Sequence, residues 1–208
     1  HGIPVAHDLP GVGRNLQDHP DIVLAYRSRS RDLFGIAVSA AWRMPRAWID
    51  YRRRRRGMLT TNFAEAGAFA KTDPALELPD VQLHFVIAIM DDHARRLHWG
   101  YGYSCHVCLL RPKSVGPVGL RSADPLDAPL IDPNFLADPA DVDGMLRGFK
   151  LARRVMDAPA FDPYRLSEMF TSSARSDQEI RALLRERADN VYHPVGTCRM
   201  GSDAMAVV

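Results

Sequence analysis

The chain has 208 residues, of which 46% are hydrophobic and 25% are charged, and its formal net charge is +2. This length allows a domain with a real hydrophobic core, and the composition is average for soluble globular proteins. The net charge is too small to indicate a polyanionic partner. No apolar run approaches the roughly 20 residues that span a bilayer, and no signal peptide is recognisable.

Three cysteines, Cys105, Cys108 and Cys198, are distributed along the chain. A disulfide-stabilised secreted domain would have more of them and an even number, so the set predicts a reducing, cytoplasmic location. The chain begins without a methionine and ends on the apolar stretch 204–208. Since natural termini tend to be polar, we expect a piece of a longer polypeptide.

The first half of the chain predicts a loop, a helix and several strands. Residues 1–20 are rich in Pro, Gly, Asp and Asn and predict an ordered loop. A strand is predicted over 21–26, followed by a helix over 34–55 that Pro45 should end or kink. Four further stretches rich in β-branched, aromatic and aliphatic residues predict strands at 66–71, 81–88, 103–110 and 115–122.

Two helices with clear starting signals follow the strands. Asp138 is placed to cap the first, with Pro139 at its first position. Ser176 and Glu179 have the spacing of a capping box, and this second helix should end near Asn190. Because the strands are not separated by helices, the predicted fold class is α+β, a mainly antiparallel sheet with helices packed on one face.

The motif at Gly11 and Gly13 begins like a dinucleotide-binding fingerprint. Leu16 stands where the third glycine belongs, and Pro10 precedes the motif where a parallel strand should end. Those departures remove the tight turn and the helix N-terminus that hold a pyrophosphate. The pattern therefore favours a structured glycine loop over a self-contained Rossmann site.

Five consecutive arginines, Arg52–Arg56, raise the possibility of a nucleic-acid-binding surface. No recognised nucleic-acid motif or aromatic array accompanies them, and acidic residues elsewhere nearly balance the charge. At the end of a helix, arginines also complement the negative end of the dipole. A solvated helix end is the preferred interpretation.

The spacing of Cys105 and Cys108 is that of a CxxC pair. On a strand, residues three apart point to opposite faces, so these thiols should diverge. A zinc site would also need further converging ligands, which the sequence does not offer. We expect buried structural cysteines and no metal site.

Glu65 and His193 are candidates for chemistry on residue type alone. Glu65 lies between a predicted helix and strand in an apolar setting, so it is either a pocket carboxylate or a surface residue. His193 precedes Pro194, which favours extended backbone, and little charge surrounds it in the sequence. Such an imidazole suits a neutral base near pH 7, although a structural histidine fits the same pattern.

Six segments taken together resemble the glucose–methanol–choline oxidoreductases, and more closely the choline-dehydrogenase-like members. They follow the family's order along nearly the whole chain. The segments are Gly2–His19, Asn62–Phe69, Leu110–Ser114, Leu120–Pro125, Ile131–Phe135 and Tyr192–Gly201.

The resemblance implies an FAD-dependent enzyme that oxidises alcohols. In that family hydride passes from the alcohol carbon to flavin N5 while a histidine takes the hydroxyl proton, and His193 matches that histidine. Glu65 and His106 would lie near the substrate. The residues expected near the cofactor are Asn15, Asp18, His19, Pro194 and Val195.

The resemblance also divides the chain. Residues 1–20 would leave the flavin domain, 21–190 would form the substrate-binding domain, and 191–208 would carry His193 back toward the flavin. The family's ADP-binding unit and a second active-site residue, Asn or His, would lie outside this sequence. We therefore expect the 208-residue chain alone to bind no FAD and oxidise no alcohol.

The sequence leaves the substrate and the electron acceptor open. Choline needs an aromatic or carboxylate cage, and nothing places Trp42, Trp48 and Trp99 together. Long-chain alcohols, polyols and polyethylene glycols also remain, as do oxygen or a quinone-type carrier. The expected partners are a small alcohol and the flavin domain of the same polypeptide, without nucleic acid, and membrane association is open. The competing function is a non-catalytic binding module that uses Arg52–Arg56.

Overall fold

The structure, a computed structural model, describes residues 2–208. Its helices are α1 (Val38–Arg54), α2 (Pro139–Met156) and α3 (Asp177–Arg187). Its strands are β1 (Pro20–Ser28), β2 (Gly35–Ile36), β3 (Ala64–Ala70), β4 (Val81–Val86), β5 (Gly100–Leu109), β6 (Val118–Gly119), β7 (Leu130–Ile131), β8 (Ser167–Glu168) and β9 (Asp189–Asn190).

Seven of these strands form one antiparallel sheet. The order across it is β3–β4–β5–β1–β8, with β2 paired to β5 and β9 paired to β1. Strands β6 and β7 form a separate antiparallel pair. The α+β class predicted from the order of elements is confirmed, because β3, β4 and β5 pair in succession as an antiparallel sheet and helices α2 and α3 follow these strands.

Helices α2 and α3 cover one face of the sheet. Alternate residues of β1, β4 and β5 point into a core shared with both helices, among them Ile22, Leu24, Val81, Tyr103, Val107, Phe149 and Ile180. Gly148 lets α2 approach closely, since a Cβ there would lie 3.0 Å from the side chains of Val81 and Val107. The side-chain period of two then directs Asp21, His84 and His106 to the opposite face.

Helix α1 passes through Pro45 and does not end there. A proline inside a helix leaves the carbonyl four residues earlier without its donor. That carbonyl belongs to Ala41, an exposed residue, so water can replace the missing donor. The arginines Arg52–Arg56 are exposed at the C-terminal end of α1, which leaves both the solvated and the nucleic-acid interpretations as predictions.

The strand predicted over 115–122 was wrong in extent. Only Val118–Gly119 is a strand, and it belongs to the small second sheet. Pro117 has no backbone N–H, and its neighbours bond to the N-terminal loop: the N–H of Gly116 donates to Leu16 and that of Val118 to Gly13. These bonds to distant residues replace the expected pairing with a neighbouring strand.

The helix boundaries follow the capping chemistry. Asp138 accepts a hydrogen bond from the N–H of Ala140 at 2.8 Å, and Ser176 and Glu179 form the expected capping box. Helix α3 ends at Arg187, three residues before the predicted boundary, because 189–190 pair with β1 instead. Within residues 2–208, none of the helices has both the length and the apolar character of a membrane span.

Candidate functional site

Two segments far apart in sequence are joined at the site. Gln17 and Val195 form an antiparallel bridge. The N–H of Gln17 donates to the carbonyl of Val195 at an N to O distance of 2.9 Å, and the N–H of Val195 donates to the carbonyl of Gln17 at 2.8 Å. The side chain of Asn15 donates to the carbonyl of Gly196 at 3.0 Å. Gly196 has φ +95°, and a Cβ there would lie 2.3 Å from the Asn15 carbonyl oxygen. Only glycine fits this contact, which fixes the loop that carries His193.

Asp18 holds the backbone of both site histidines. Its side chain is buried, and Oδ1 accepts hydrogen bonds from the N–H of His19 at 2.7 Å and of His193 at 3.0 Å. Backbone donors bound to a carboxylate form charge-assisted hydrogen bonds, which are stronger than neutral ones. Asp18 therefore fixes the backbone positions from which the two imidazole side chains extend.

The rings of His19 and His193 meet edge to face, with centroids 5.3 Å apart. Burial lowers the pKa of His19, and the neighbouring His193 lowers it further. The Nδ1 atom of His19 is buried and has no hydrogen-bond partner among the described residues. His193 itself is exposed, so its side chain is not packed inside the fold.

His193 stands at the edge of a cavity of about 350 Å³ on the sheet face opposite α2. Strands β4 and β5 supply one side, and the segment after β9 supplies the other. The lining residues are Ala64, His84, Val86, Met90, His93, His106, Asn190, Val191, Tyr192 and His193. Four imidazoles thus share one recess with a small apolar wall.

His84 and His106 are cross-strand partners on this face, with ring centroids 6.4 Å apart. His106 Nδ1 lies 2.6 Å from Asp21 Oδ2, and Asp21 also accepts from the N–H of Val107 at 2.9 Å. Burial alone would lower the pKa of His106, but the hydrogen bond and charge of Asp21 outweigh it and raise that pKa. Burial lowers the pKa of His84, and His106 adds to the effect.

His93 and Tyr192 form the other wall, and neither was predicted from the sequence to be a site residue. Asp92, His93 and Ala94 all have positive φ, between 47° and 63°, which non-glycine residues rarely adopt. His93 Nε2 lies 2.7 Å from Asp189 Oδ2, and its ring centroid is 4.8 Å from that of Tyr192. Strained backbone of this kind is concentrated at functional sites.

The structure brings together most of the residues that the sequence singled out. His106 and His193 line the same cavity. Asn15, Asp18 and His19 contact the segment that carries His193, and Pro194 and Val195 belong to that segment. Glu65 is not in the cavity lining: it is exposed, lies at a bulge in β3 and accepts a hydrogen bond from the Thr61 hydroxyl. A role for Glu65 toward substrate stays a prediction.

The two cysteines of β5 diverge as expected. Cys105 belongs to the hydrophobic core, whereas the thiol of Cys108 donates to Asp21 on the other face at 3.4 Å. Burial raises the pKa of Cys105 to about 12. Residues 2–208 contain no cluster of side chains suited to a metal ion. Both thiols are free and buried.

Comparison with known proteins shows which family the chain resembles. Residues 112–208 match the model of the GMC oxidoreductase C-terminal region. Over its whole length the chain is 47% identical to an alcohol dehydrogenase [acceptor] of Pseudomonas putida, of which it covers 38%. It is 35% identical, over 99% of its length, to an oxygen-dependent choline dehydrogenase of Pseudomonas aeruginosa (strain LESB58), of which it covers 37%. The chain is thus similar over its whole length to glucose–methanol–choline (GMC) oxidoreductases.

The solved structures agree with this family. A formate oxidase of Aspergillus oryzae RIB40, in a study of its FAD modification, superposes with a TM-score of 0.81 at 25% identity. The match covers 98% of this chain and 40% of that one. The chain thus spans under half of the GMC proteins it matches, as expected for part of a longer polypeptide.

Proposed function

We propose that this chain supplies the substrate side of an FAD-dependent alcohol oxidoreductase, with His193 as the base that accepts the hydroxyl proton. The observation that carries the proposal is the setting of His193. Its imidazole is exposed at the rim of a cavity, while its backbone is fixed by the buried carboxylate of Asp18. A base must be both reachable and held in place.

The residues around His193 suit a flavin ring. Pro194 and Val195 are exposed beside the imidazole, so an aromatic ring can lie against them. His19 Nδ1, in the ring that contacts His193, is a buried polar atom without a partner among the described residues. FAD would lie along Asn15, His19, Pro194 and Val195, and when bound it would accept the hydride from the carbinol carbon.

Residues of this chain would accept the proton, hydrogen-bond the substrate oxygen and exclude water. The hydroxyl of the alcohol binds at His193 Nε2 or Nδ1, and the proton moves to that nitrogen as the carbonyl forms. Burial and the neighbouring His106 lower the pKa of His84, which favours its neutral form. A neutral His84 can hydrogen-bond the same oxygen without adding a competing positive charge. The apolar wall of Val86 and Met90 excludes water from the reacting carbon.

The proposal is tested with the full-length protein and with the 208-residue chain. The full-length protein is expected to purify yellow, and its flavin absorbance should bleach when a primary alcohol is added without oxygen. The 208-residue chain alone should carry no flavin. A full-length protein that never binds FAD, or whose bound FAD no alcohol reduces, would contradict the proposal.

A further inference from the structure

A second cavity, of about 500 Å³, adjoins the histidine cavity. Ala64, Val86 and Met90 line both cavities and separate them. Alanine has a small side chain and methionine a flexible one, so this boundary leaves room for a slender molecule. A ligand could therefore place one end at His193 and extend the other into the second cavity.

The second cavity is apolar. Most of its wall comes from Phe34, Ile36, Phe63, Val86, Ala88, Ile89, Met90, Ala94 and Leu97. The rings of Phe34 and Phe63 are in contact, with centroids 4.6 Å apart. Its polar residues are Asn62 and His98, and the Nε2 of His98 is engaged by Asp91 at 2.8 Å. Among residues 2–208, no carboxylate lines it.

The carboxylates lie in a third recess, of about 350 Å³, lined by Asp21, Asp91, Asp92, Glu186 and Asp189. Four of these five lie within 4.0 Å of a histidine or arginine nitrogen. They are therefore largely engaged by side chains of the chain itself. This recess shares Met90, His93 and His106 with the histidine cavity, so it adjoins that cavity just as the apolar one does. Since most of its carboxylates already have partners within the chain, the wall left open to a ligand next to the histidine cavity is mainly apolar.

We infer that the second cavity binds the hydrocarbon chain of a primary alcohol whose hydroxyl lies at His193. The inference rests on the proposed function and names its substrate class: unbranched apolar alcohols in preference to choline. Burying one methylene contributes enough to change affinity about fourfold. The kcat/KM should therefore rise about fourfold for each added methylene until the cavity is full.

The test uses the full-length, FAD-loaded protein with the alcohols from ethanol to 1-octanol and with choline. Leu97→Asp puts a charge into the cavity wall at a residue that is 74% exposed, so the fold tolerates it. Leu126→Asp, at a residue 91% exposed outside the three cavities, is the matched control. Leu97→Asp should lower kcat/KM much more for the longer alcohols than for ethanol and so flatten the rise with chain length, whereas Leu126→Asp should keep the rise.

A binding measurement separates the cavity from turnover. 1-Octanol should displace an apolar fluorescent dye from the wild-type protein, and about tenfold more should be needed in Leu97→Asp. Oxidation with a flat chain-length series, or with choline preferred, would overturn the hydrocarbon site and leave the proposed function standing. If no alcohol in the series were oxidised, the result would contradict both the hydrocarbon site and the proposed function.

A second, independent feature lies on α1. Ala47 is the one buried residue of this helix, all of which is described. At 3.6 residues per turn, Val38, Trp42, Pro45 and Ile49 fall within about 60° of each other on the opposite side. Trp42 is 82% exposed and Val38 66%. The side of α1 that faces away from the domain is thus an apolar stripe.

Positive charge surrounds this stripe. Residues 38–56 contain seven arginines, at 43, 46 and 52–56, and a single acid, Asp50. A helix that combines an outward apolar stripe, exposed tryptophan and dense arginine is complementary to an anionic lipid surface. Tryptophan favours the interfacial region, and arginines pair with the lipid phosphates.

We propose that α1 docks on the surface of anionic membranes, with Trp42 and Ile49 inserted at the headgroup level. The full-length protein should co-sediment with vesicles that contain 30% phosphatidylglycerol at least about tenfold more than with pure phosphatidylcholine, and salt should weaken this binding. The double variant Trp42→Ser/Ile49→Ser should lose most of the binding. Leu126→Ser, at an exposed leucine elsewhere, should retain it.

Thermal unfolding of the same variants distinguishes a lipid surface from other coverings. If the rest of the polypeptide or another protein covered the stripe, Trp42→Ser/Ile49→Ser would lower the Tm or change the oligomeric state, and vesicle binding would be absent or unchanged. That result, or binding to duplex DNA in preference to anionic vesicles, would overturn the proposal. An unchanged Tm together with lost vesicle binding supports it.

Discussion

The buried carboxylate of Asp18 accepts the backbone N–H of His193, which is 175 residues away in the chain, at 3.0 Å. The same oxygen accepts the N–H of the adjacent His19 at 2.7 Å. One side chain near the start of the sequence therefore sets the position of the imidazole near its end. This cross-chain contact links the architecture to the proposed chemistry.

Removing the Asp18 carboxylate should misplace His193. Asp18→Ala leaves two backbone N–H groups without their charged acceptor, and a hydrogen bond to a charged group contributes about 1.5–3 kcal/mol. We expect the free energy of unfolding to fall by about 2–4 kcal/mol, and kcat to fall while flavin content is retained. Urea denaturation and steady-state rates measure the two effects.

The matched control is Asp8→Ala, which removes a carboxylate from an exposed residue of the same segment. It should leave both quantities unchanged. An Asp18→Ala protein with the stability and kcat of the wild type would show that this carboxylate does not position the imidazole.

Gly196→Ala should distort the loop that carries His193 at its contact with Asn15. The added Cβ would lie 2.3 Å from a backbone oxygen, and the φ of +95° is unfavourable for any residue with a side chain. We expect a loss of about 2 kcal/mol or more in the free energy of unfolding, since neither the clash nor the strain can relax locally. Gly119→Ala, where a Cβ would meet nothing within 4 Å, is the control and should change stability little.

His84 and His106 should affect stability with opposite dependence on pH. The pKa of His84 is lowered from 6.5, so the unfolded state binds its proton first and stability falls as the pH drops below 6.5. The pKa of His106 is raised from 6.5, so its contribution is full below 6.5 and is lost as the pH rises through the folded-state pKa.

Unfolding free energies of the wild type, His84→Gln and His106→Gln from pH 5 to 8 measure this difference. The stability advantage of the wild type over His84→Gln should shrink toward acid pH, and its advantage over His106→Gln should shrink toward alkaline pH. Slopes of the same sign for the two variants would contradict the assignment of the charged partner to His106.

Local signals were sufficient to predict much of the fold. The α2 and α3 starts follow from caps that act within four residues, and the long strands follow from their composition. The segment 115–122 could not be predicted, because its hydrogen bonds go to residues about a hundred positions earlier. Pro45 does not end α1, and the carbonyl that it leaves without a donor belongs to the exposed residue Ala41.

Only part of the site was predicted, because the site too depends on contacts between residues far apart in the sequence. Residue chemistry marked His193 only as one of two candidates, and the resemblance to a family added its role and the residues beside it. His84 was missed because it becomes part of the site only through its pairing with His106, and a single sequence does not contain strand register. The strained turn at His93 has no glycine or asparagine in it that would have indicated positive φ.

The central claim is that the imidazole of His193 accepts the hydroxyl proton of the alcohol. The most direct measurement is the rate of anaerobic flavin reduction by a primary alcohol in full-length His193→Ala, with and without added imidazole. A positioned base contributes about 10²–10⁴-fold, so we expect the rate to fall by that factor, flavin to stay bound, and imidazole to restore part of the rate. A rate within a few-fold of the wild type, or a loss that follows from lost flavin alone, would contradict the claim.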